Sequence, residues 1–289
     1  MKYAIYLPNF GSFGDARVLA DLAHDAEHAG WDGFFIWDHI ASEHPIPVVD
    51  PWVALAAIAL STERMRIGTT VTPIPRRRPW KLARETVSVD RLSGGRLTLG
   101  VGIGLGAHEW DYLGEEPDQG RRGAMLDEGL DVLAGLWSGQ PFSYAGQHYH
   151  ITEARFLPTP VQQPRIPVWV GGFWPNKAPM RRAARWDGVF PLVSMGPVAP
   201  DEELRLFRAC VAYVLEQRAQ QAISGPFDVI ALGATAPYGA PHGVVADYAE
   251  AGATWWLEPI VPWRFGQDGQ GDWPFDRMRE RVLQGPPTG

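Results

Sequence analysis

Apolar runs and amphipathic stretches alternate along this chain with little interruption. Short runs at Tyr3–Pro8, Gly33–Asp38, Arg66–Thr72, Arg96–Gly102, Val168–Gly171, Gly188–Leu192, Asp228–Leu232 and Thr254–Pro259 read as strands. Segments such as GFFIWD and LTLGVG stay apolar without alternating, as strands do when both faces are buried. Between the runs, the pattern predicts helices over Asp15–Ala29, Pro51–Ser61, Trp80–Leu92, Arg121–Trp137, Lys177–Arg185, Pro200–Gln220 and Gly243–Ala251, with a last one near Phe275–Leu283. Asp15 stands where a helix wants a cap, and Gly30, Gly94, Gly95 and Gly252 stand where helix ends favour a left-handed residue. Strands joined by a single helix run parallel, because a return in the same direction needs a crossover of a dozen or more residues. Strand and helix in strict order therefore predict an α/β fold, a closed (β/α)8 TIM barrel forming a single domain over residues 1–289.

Two stretches break the rhythm. Leu105–Gly120, acidic and glycine-containing, follows the fourth strand and predicts a loop over the active-site end. Residues 140–167 read as an insertion after the fourth βα unit. Their first half predicts a β-hairpin turning at Ala145-Gly146, and their Pro-rich second half an extended linker.

Composition narrows the function classes. The net charge of −7, with no long basic stripe, argues against a nucleic-acid partner. The run Arg76-Arg77-Arg78 reads as a solvated loop in preference to an anion site. No apolar stretch is long enough for a membrane span, and YAIYLP opens a strand with no leader pattern before it. The single cysteine, Cys210, excludes an internal disulfide and fits a reducing compartment, so the cytoplasm is expected. Of the 13 tryptophans, Trp110, Trp174, Trp263 and Trp273 fall in loops. They fit a pocket for planar or apolar molecules, and peripheral packing explains them equally well.

In a barrel the carboxyl ends of the strands carry the chemistry. The residues there are Asn9 after the first strand, Asp38 and His39 after the second, Thr70 and Val71 in the third, Gly102, Gly104 and Glu109 after the fourth, and Gly171, Gly172 and Trp174 after the fifth. Asp38-His39 is the best acid/base pair, since an imidazole beside a carboxylate can move a proton at neutral pH. A histidine that merely packs at a strand end is the plainer alternative. Glu109 is a second acid/base candidate. Gly171-Gly172 before a helix starting near Asn176-Lys177 offers backbone N–H groups to an anion, or else a tight turn with a satisfied cap. GVGIGLGA matches a dinucleotide fingerprint, but it lies in the fourth unit, without an immediate helix or a following acidic strand end. Lys177 is the only lysine near a strand end, which disfavours lysine-based lyase chemistry. No metal is implied.

The stretches AEHAGWDGFFIWDH, IGTTVTPIPRRRPWKLARE, VDRLSGGRLTLGVGIG and PVQQPRIPVWVGG strongly resemble the bacterial luciferase-like superfamily, from Met1 to about Leu192. That superfamily holds flavin-dependent monooxygenases and enzymes using the deazaflavin coenzyme F420. The resemblance implies a cis non-proline peptide at Thr70-Val71 supporting the cofactor ring. It implies a catalytic His39 with Asp38 orienting it, an acid at Glu109, and backbone phosphate contacts at Gly171-Gly172. Asn9, Gly102 and Gly104 would complete the cofactor site, with Trp110 and Trp174 stacking on substrate. The cofactor would be F420 or FMN, with F420 favoured because Thr70-Val71, His39 and Glu109 together look more like its reductases. A small-molecule substrate, a flavin or F420 reductase as supplier and a homodimer are expected with it. An FMN- and oxygen-dependent monooxygenase and a non-catalytic flavin-binding protein are the alternatives. Beyond Leu192 the strands rest on rhythm alone.

Overall fold

A computed structural model describes residues 1–193, 198–235, 244–269 and 272–287. Its strands are β1 (Lys2–Leu7), β2 (Gly33–Ile36), β3 (Arg66–Pro73), β4 (Leu97–Gly102), β5 (Phe142–Ala145), β6 (His150–Ala154), β7 (Val168–Phe173), β8 (Gly188–Leu192), β9 (Asp228–Leu232) and β10 (Trp255–Pro259). The helices are α1 (Ala16–His28), α2 (Pro51–Ser61), α3 (Pro79–Leu92), α4 (Gln119–Trp137), α5 (Lys177–Ala183), α6 (Pro200–Gln220), α7 (Val244–Glu250) and α8 (Phe275–Leu283). All strands but β5 and β6 close into one barrel in the order β1-β10-β9-β8-β7-β4-β3-β2, parallel throughout. The expected (β/α)8 barrel is thus the observed fold, including β9 and β10, which rhythm alone had placed. The expected start of the seventh helix at Gly243 lies outside the described residues.

Local chemistry sets the element ends. Asp15 accepts from Arg17 N–H, Asp50 from Trp52 and Val53 N–H, and Asp118 from Arg121 N–H, each satisfying helix-start donors. The insertion pairs β5 antiparallel to β6, with Ala145 opposite His150, as the hairpin pattern predicted.

Side chains from alternate positions fill the barrel. Ala4, Phe35, Trp169, Phe190, Ile230, Trp255 and Leu257 form its interior, so it is a packed core and not a pore. At the carboxyl end the half-buried Tyr6, Val71, Leu192 and Leu232 pack onto that cluster and make an apolar floor. A second, larger apolar layer lies between strands and helices, and Cys210 is buried there against Met180.

A buried charge network fastens the last units. Glu258 on β10 accepts from Thr235 N–H (3.0 Å) and Oγ1 (2.9 Å) and from Trp256 Nε1 (2.9 Å). Arg264 and Arg281 face the same carboxylate at 2.5 and 3.4 Å. This network ties the end of β9 and the turn after β10 to α8, and so holds Trp263 at the barrel mouth.

Candidate functional site

Strand β2 ends at Ile36, two residues earlier than its apolar run suggests, and releases Trp37, Asp38 and His39 into the mouth. Asn9 pins this segment. Its Nδ2 donates to the carbonyls of His39 (2.8 Å) and Val49 (2.7 Å), while His39 N–H donates to its Oδ1 (3.1 Å). Asn9 is fully buried, and its amide is occupied by backbone. Its side chain therefore positions His39 and is not turned to a cofactor.

The His39 side chain is 26% exposed, and its Nδ1 lies 3.3 Å from Oε1 of Glu109. Glu109 is buried at the short turn Ala107–Glu109 after β4. Its Oε1 accepts from Ile40 N–H (2.7 Å) and Ala41 N–H (3.3 Å), and its Oε2 faces Arg76 at 2.9 Å. Burial alone would raise the Glu109 carboxyl, but the hydrogen bond and charge of His39, the Arg76 charge and the Ile40 amide pull it down to about 2. Glu109 is accordingly a fixed anion that accepts from Nδ1, and Nε2 of His39 has no hydrogen-bond partner among the described residues.

This corrects the assigned orienting role of Asp38. The Asp38 carboxylate turns away from His39 and takes bonds from Thr72 Oγ1 (2.8 Å), Arg76 (3.1 Å) and Arg77 (2.7 Å). Asp38 is buried, and these donors are what permit a carboxylate there. The solvated reading of the arginine run is corrected with it. The side chains of Arg76 and Arg77 are 3% and 17% exposed, and only Arg78 is open to solvent. Sequence reasoning missed Arg76, Arg77 and Thr72. Two carboxylates at neighbouring strand ends need buried counterions, and the arginines after β3, the strand between them, are the signal that was available.

Thr70 and Val71 lie where β3 bulges, the pairing with β4 shifting between Thr69 and Thr72. The Thr70-Val71 peptide is cis, as the resemblance implied. Val71 projects between two glycines. A Cβ on Gly102 or on Gly171 would stand 2.8 Å from a Val71 methyl, so both positions are kept bare for it. Thr70 Oγ1 is buried and has no hydrogen-bond partner among the described residues. An apolar floor, a projecting bulge and an orphaned buried hydroxyl fit a planar ring system with polar edges.

Gly171 and Gly172 are part of β7, which runs on to Phe173, so they do not form the turn before α5. Asn176 caps α5 by accepting from Ala178 N–H, the plainer of the two readings of this stretch. Gly104 has φ +80 and lies against Trp110. Trp110 is 2% exposed and carries the Arg122 guanidinium over its ring at 4.0 Å, so it anchors the loop and does not stack on substrate. Trp174 is half-buried against Tyr213. An aromatic wall, of which the sequence had singled out only Trp263, stands beside His39: the ring centroids of Phe10 and Trp37 lie 5.5 and 5.6 Å from the imidazole, and Tyr6 and Trp263 lie 5.4 and 6.0 Å from Trp37.

His39, His108 and Glu109 offer ligand atoms within 4.8 Å of one another. Arg76 and two backbone amides already occupy the Glu109 carboxylate, and a dication would sit against the guanidinium. The group is built to hold a proton in preference to a metal.

The family model for luciferase-like monooxygenases matches residues 1–236. An uncharacterized protein of Mycobacterium tuberculosis is 31% identical over 233 residues, covering 74% of this chain and 76% of its own length. The F420-dependent glucose-6-phosphate dehydrogenase of Nakamurella multipartita is 32% identical over 175 residues, 59% of this chain and half of that protein. Among solved structures, the monooxygenase RslO1 from Streptomyces bottropensis superposes with a TM-score of 0.78 at 19% identity, covering 98% of this chain and 96% of that one. The coenzyme F420-dependent tetrahydromethanopterin reductase of Methanopyrus kandleri gives 0.73 at 17% identity with the same coverage. No helix among the described residues is long and apolar enough to cross a membrane. The chain belongs to the luciferase-like monooxygenase family and is an oxidoreductase of the flavin- and F420-dependent kind.

Proposed function

We propose that this enzyme binds F420 at the carboxyl end of the barrel and catalyses hydride transfer between it and a small organic carbonyl or alcohol. One observation carries the reading: a partly exposed imidazole, fixed on its backbone by Asn9 and on Nδ1 by an anionic Glu109, stands at the mouth on the same side as the Thr70-Val71 bulge. When bound in its reduced form, the deazaflavin supplies a hydride. Reduction of a ketone to an alcohol then needs one proton on oxygen, and His39 delivers it from Nε2. The Glu109 carboxylate stabilises the imidazolium before delivery and holds the ring's orientation afterwards. In the oxidative direction His39 accepts the proton. Val71, Thr70, Gly102 and Gly171 would hold the ring, with backbone of β7 near the phosphate. Asp38 keeps Arg76 in place and touches neither reactant.

Oxygen-dependent chemistry with FMN, fed by a separate reductase, is the second outcome, since relatives include the oxygenase component of a flavin-dependent trigonelline monooxygenase. We read residues 1–289 as one domain acting in the cytoplasm. The homodimer would form through α2, which is apolar on its outer face as well: Val53 and Leu60 are 60% and 74% exposed. The deciding experiment is fluorescence titration of purified protein with F420 and with FMN. Micromolar binding of F420 alone is expected. FMN preference would move the reading to monooxygenation, and binding of neither would sink it.

A further inference from the structure

We propose that the amino-terminal end of the barrel, opposite the end that presents His39, carries a binding site for a compact polyphosphate anion of two or three phosphate groups. The site lies away from the cofactor region and does not rest on the reading above.

Four neighbouring strands begin side by side there. Lys2 opens β1, Asp32 precedes β2, Arg66 opens β3 and Arg96 precedes β4. The registers Ala4–Gly33, Gly33–Arg66 and Ile67–Leu97 bring these starts together, with about 4.8 Å between adjacent strands. With Arg64 and Trp255 they line a cavity of about 330 Å³, in which four of the side chains are cationic and one is acidic.

The cations are held without counterions. Arg96 spends all five of its N–H groups on neutral oxygens, the carbonyls of Ala59, Thr62, Met65 and Ser93 and the hydroxyl of Thr62, at 2.7–3.0 Å. Its charge is thereby fixed in place and left unneutralised. Arg66 donates from Nη1 to Thr98 Oγ1 (3.1 Å) and Gln162 Oε1 (3.2 Å), again neutral partners. Lys2 lies over the Trp255 ring at 5.1 Å, and Arg64 is exposed. Among the described residues, none of the four forms an ion pair.

The acids close by are engaged elsewhere. Asp32 accepts from Tyr3 N–H (2.8 Å), and the buried Glu27 accepts from Glu63, Arg64 and Met65 N–H (2.9, 2.7 and 2.8 Å). Glu63 is exposed to water, where its charge is most screened. A cleft lined mainly by one sign of charge focuses its field, and the chain as a whole carries −7, so the attraction is local to this end. Phosphate oxygens suit the guanidinium forks of Arg64 and Arg66, Lys2 adds a point charge, and Arg96 adds charge without a further hydrogen bond. Successive phosphates can meet successive strand starts. Trp255 is 1% exposed, so it offers no open face to a nucleotide base, and the site reads phosphate alone.

The test is calorimetric titration of the intact chain with pyrophosphate, tripolyphosphate and ATP. Tripolyphosphate should occupy one site with Kd below about 1 mM, pyrophosphate should bind about threefold more weakly, and ATP should fall within about threefold of tripolyphosphate. Lys2→Gln combined with Arg64→Gln removes no side-chain hydrogen bond and should weaken tripolyphosphate about tenfold or more. Arg66→Gln should weaken it about as much, whereas Lys177→Gln at the opposite end should change it by less than about twofold. Four results overturn the proposal: no saturation by about 10 mM tripolyphosphate, unchanged affinity in the Lys2 and Arg64 double variant, loss of binding on Lys177→Gln, or ATP binding more than about tenfold tighter than tripolyphosphate.

Discussion

The corner where β2, β3 and β4 end and the arc where β7, β8 and β9 end are built from the same βα unit, yet they are chemical opposites. The corner buries two carboxylates and two guanidinium groups in mutual contact and hangs one half-open imidazole from them. In sequence, residues 174–176, 193–199 and 233–243, which follow β7, β8 and β9, contain no Asp, Glu, Lys or Arg. Charge in a low-dielectric site costs several kcal/mol per ion unless it is compensated, so a barrel that needs a fixed anion concentrates its ions where they satisfy one another. The corner is thereby made a dependable holder of one proton carrier.

If the corner exists to hold one proton carrier, removing that carrier should have the largest effect. His39→Asn should lower the rate of hydride transfer about 10²–10⁴-fold while cofactor affinity changes about threefold or less. Stopped-flow of the F420 absorbance with a saturating ketone measures this, and a rate unchanged within error would remove His39 from the mechanism. Next comes the scaffold. Arg76→Gln leaves Asp38 and Glu109 short of a buried counterion and should cost about 3–5 kcal/mol in urea unfolding. The double variant Arg76→Gln with Glu109→Gln should recover part of that loss. A double variant whose loss equals the sum of the two single losses would mean that the two side chains are not coupled.

Glu109 gives the same corner a pH signature. Its carboxyl lies at about 2 in the folded protein against an ordinary 4.5. Because the folded value is the lower one, the ionised group stabilises the fold fully above about pH 4.5, and the contribution is lost as pH falls towards 2. The amount is about 3 kcal/mol. Acid unfolding of the wild type should therefore be steeper over that interval than that of Glu109→Gln. Parallel curves would show that the carboxyl is not held down.

The fold was legible because units state their own endings: a capping aspartate at 15, left-handed glycines at 30, 94, 95 and 252, and strands apolar on both faces. The catalytic candidates His39 and Glu109 were legible from strand-end position, although the contact between them was not. Asp38 is the instructive error. Adjacency in sequence made it the obvious partner of His39, but residues 38 and 39 leave the strand end in different directions, and the nearer carboxylate to the imidazole is 70 positions away. Arg76 and Arg77 were misread for a related reason. A run of like charge is usually solvated, and only the pair of buried acids beside it in space reverses that expectation. Trp110 looked like a ligand contact because it is an aromatic residue in a loop, and the bare Gly104 beneath it was the sign that it packs inward.

The smallest expected effect lies between corner and arc, at Val71. Gly171→Ala would place a methyl 2.8 Å from one Val71 methyl, and Gly102→Ala would do the same from the other side. Val71 is half-buried and can rise towards the mouth, so the cost in stability should fall at the low end of overpacking, about 1 kcal/mol. A raised Val71 alters the floor on which a planar ring would lie, and cofactor affinity should drop about fivefold in either variant. Gly123→Ala on α4, where the nearest atom is the Arg182 guanidinium at 3.6 Å, is the control, and it should be neutral or stabilising by about 0.5–1 kcal/mol because alanine favours the helix. If the glycines beside Val71 tolerate alanine with unchanged cofactor affinity, the bulge does not support the ring.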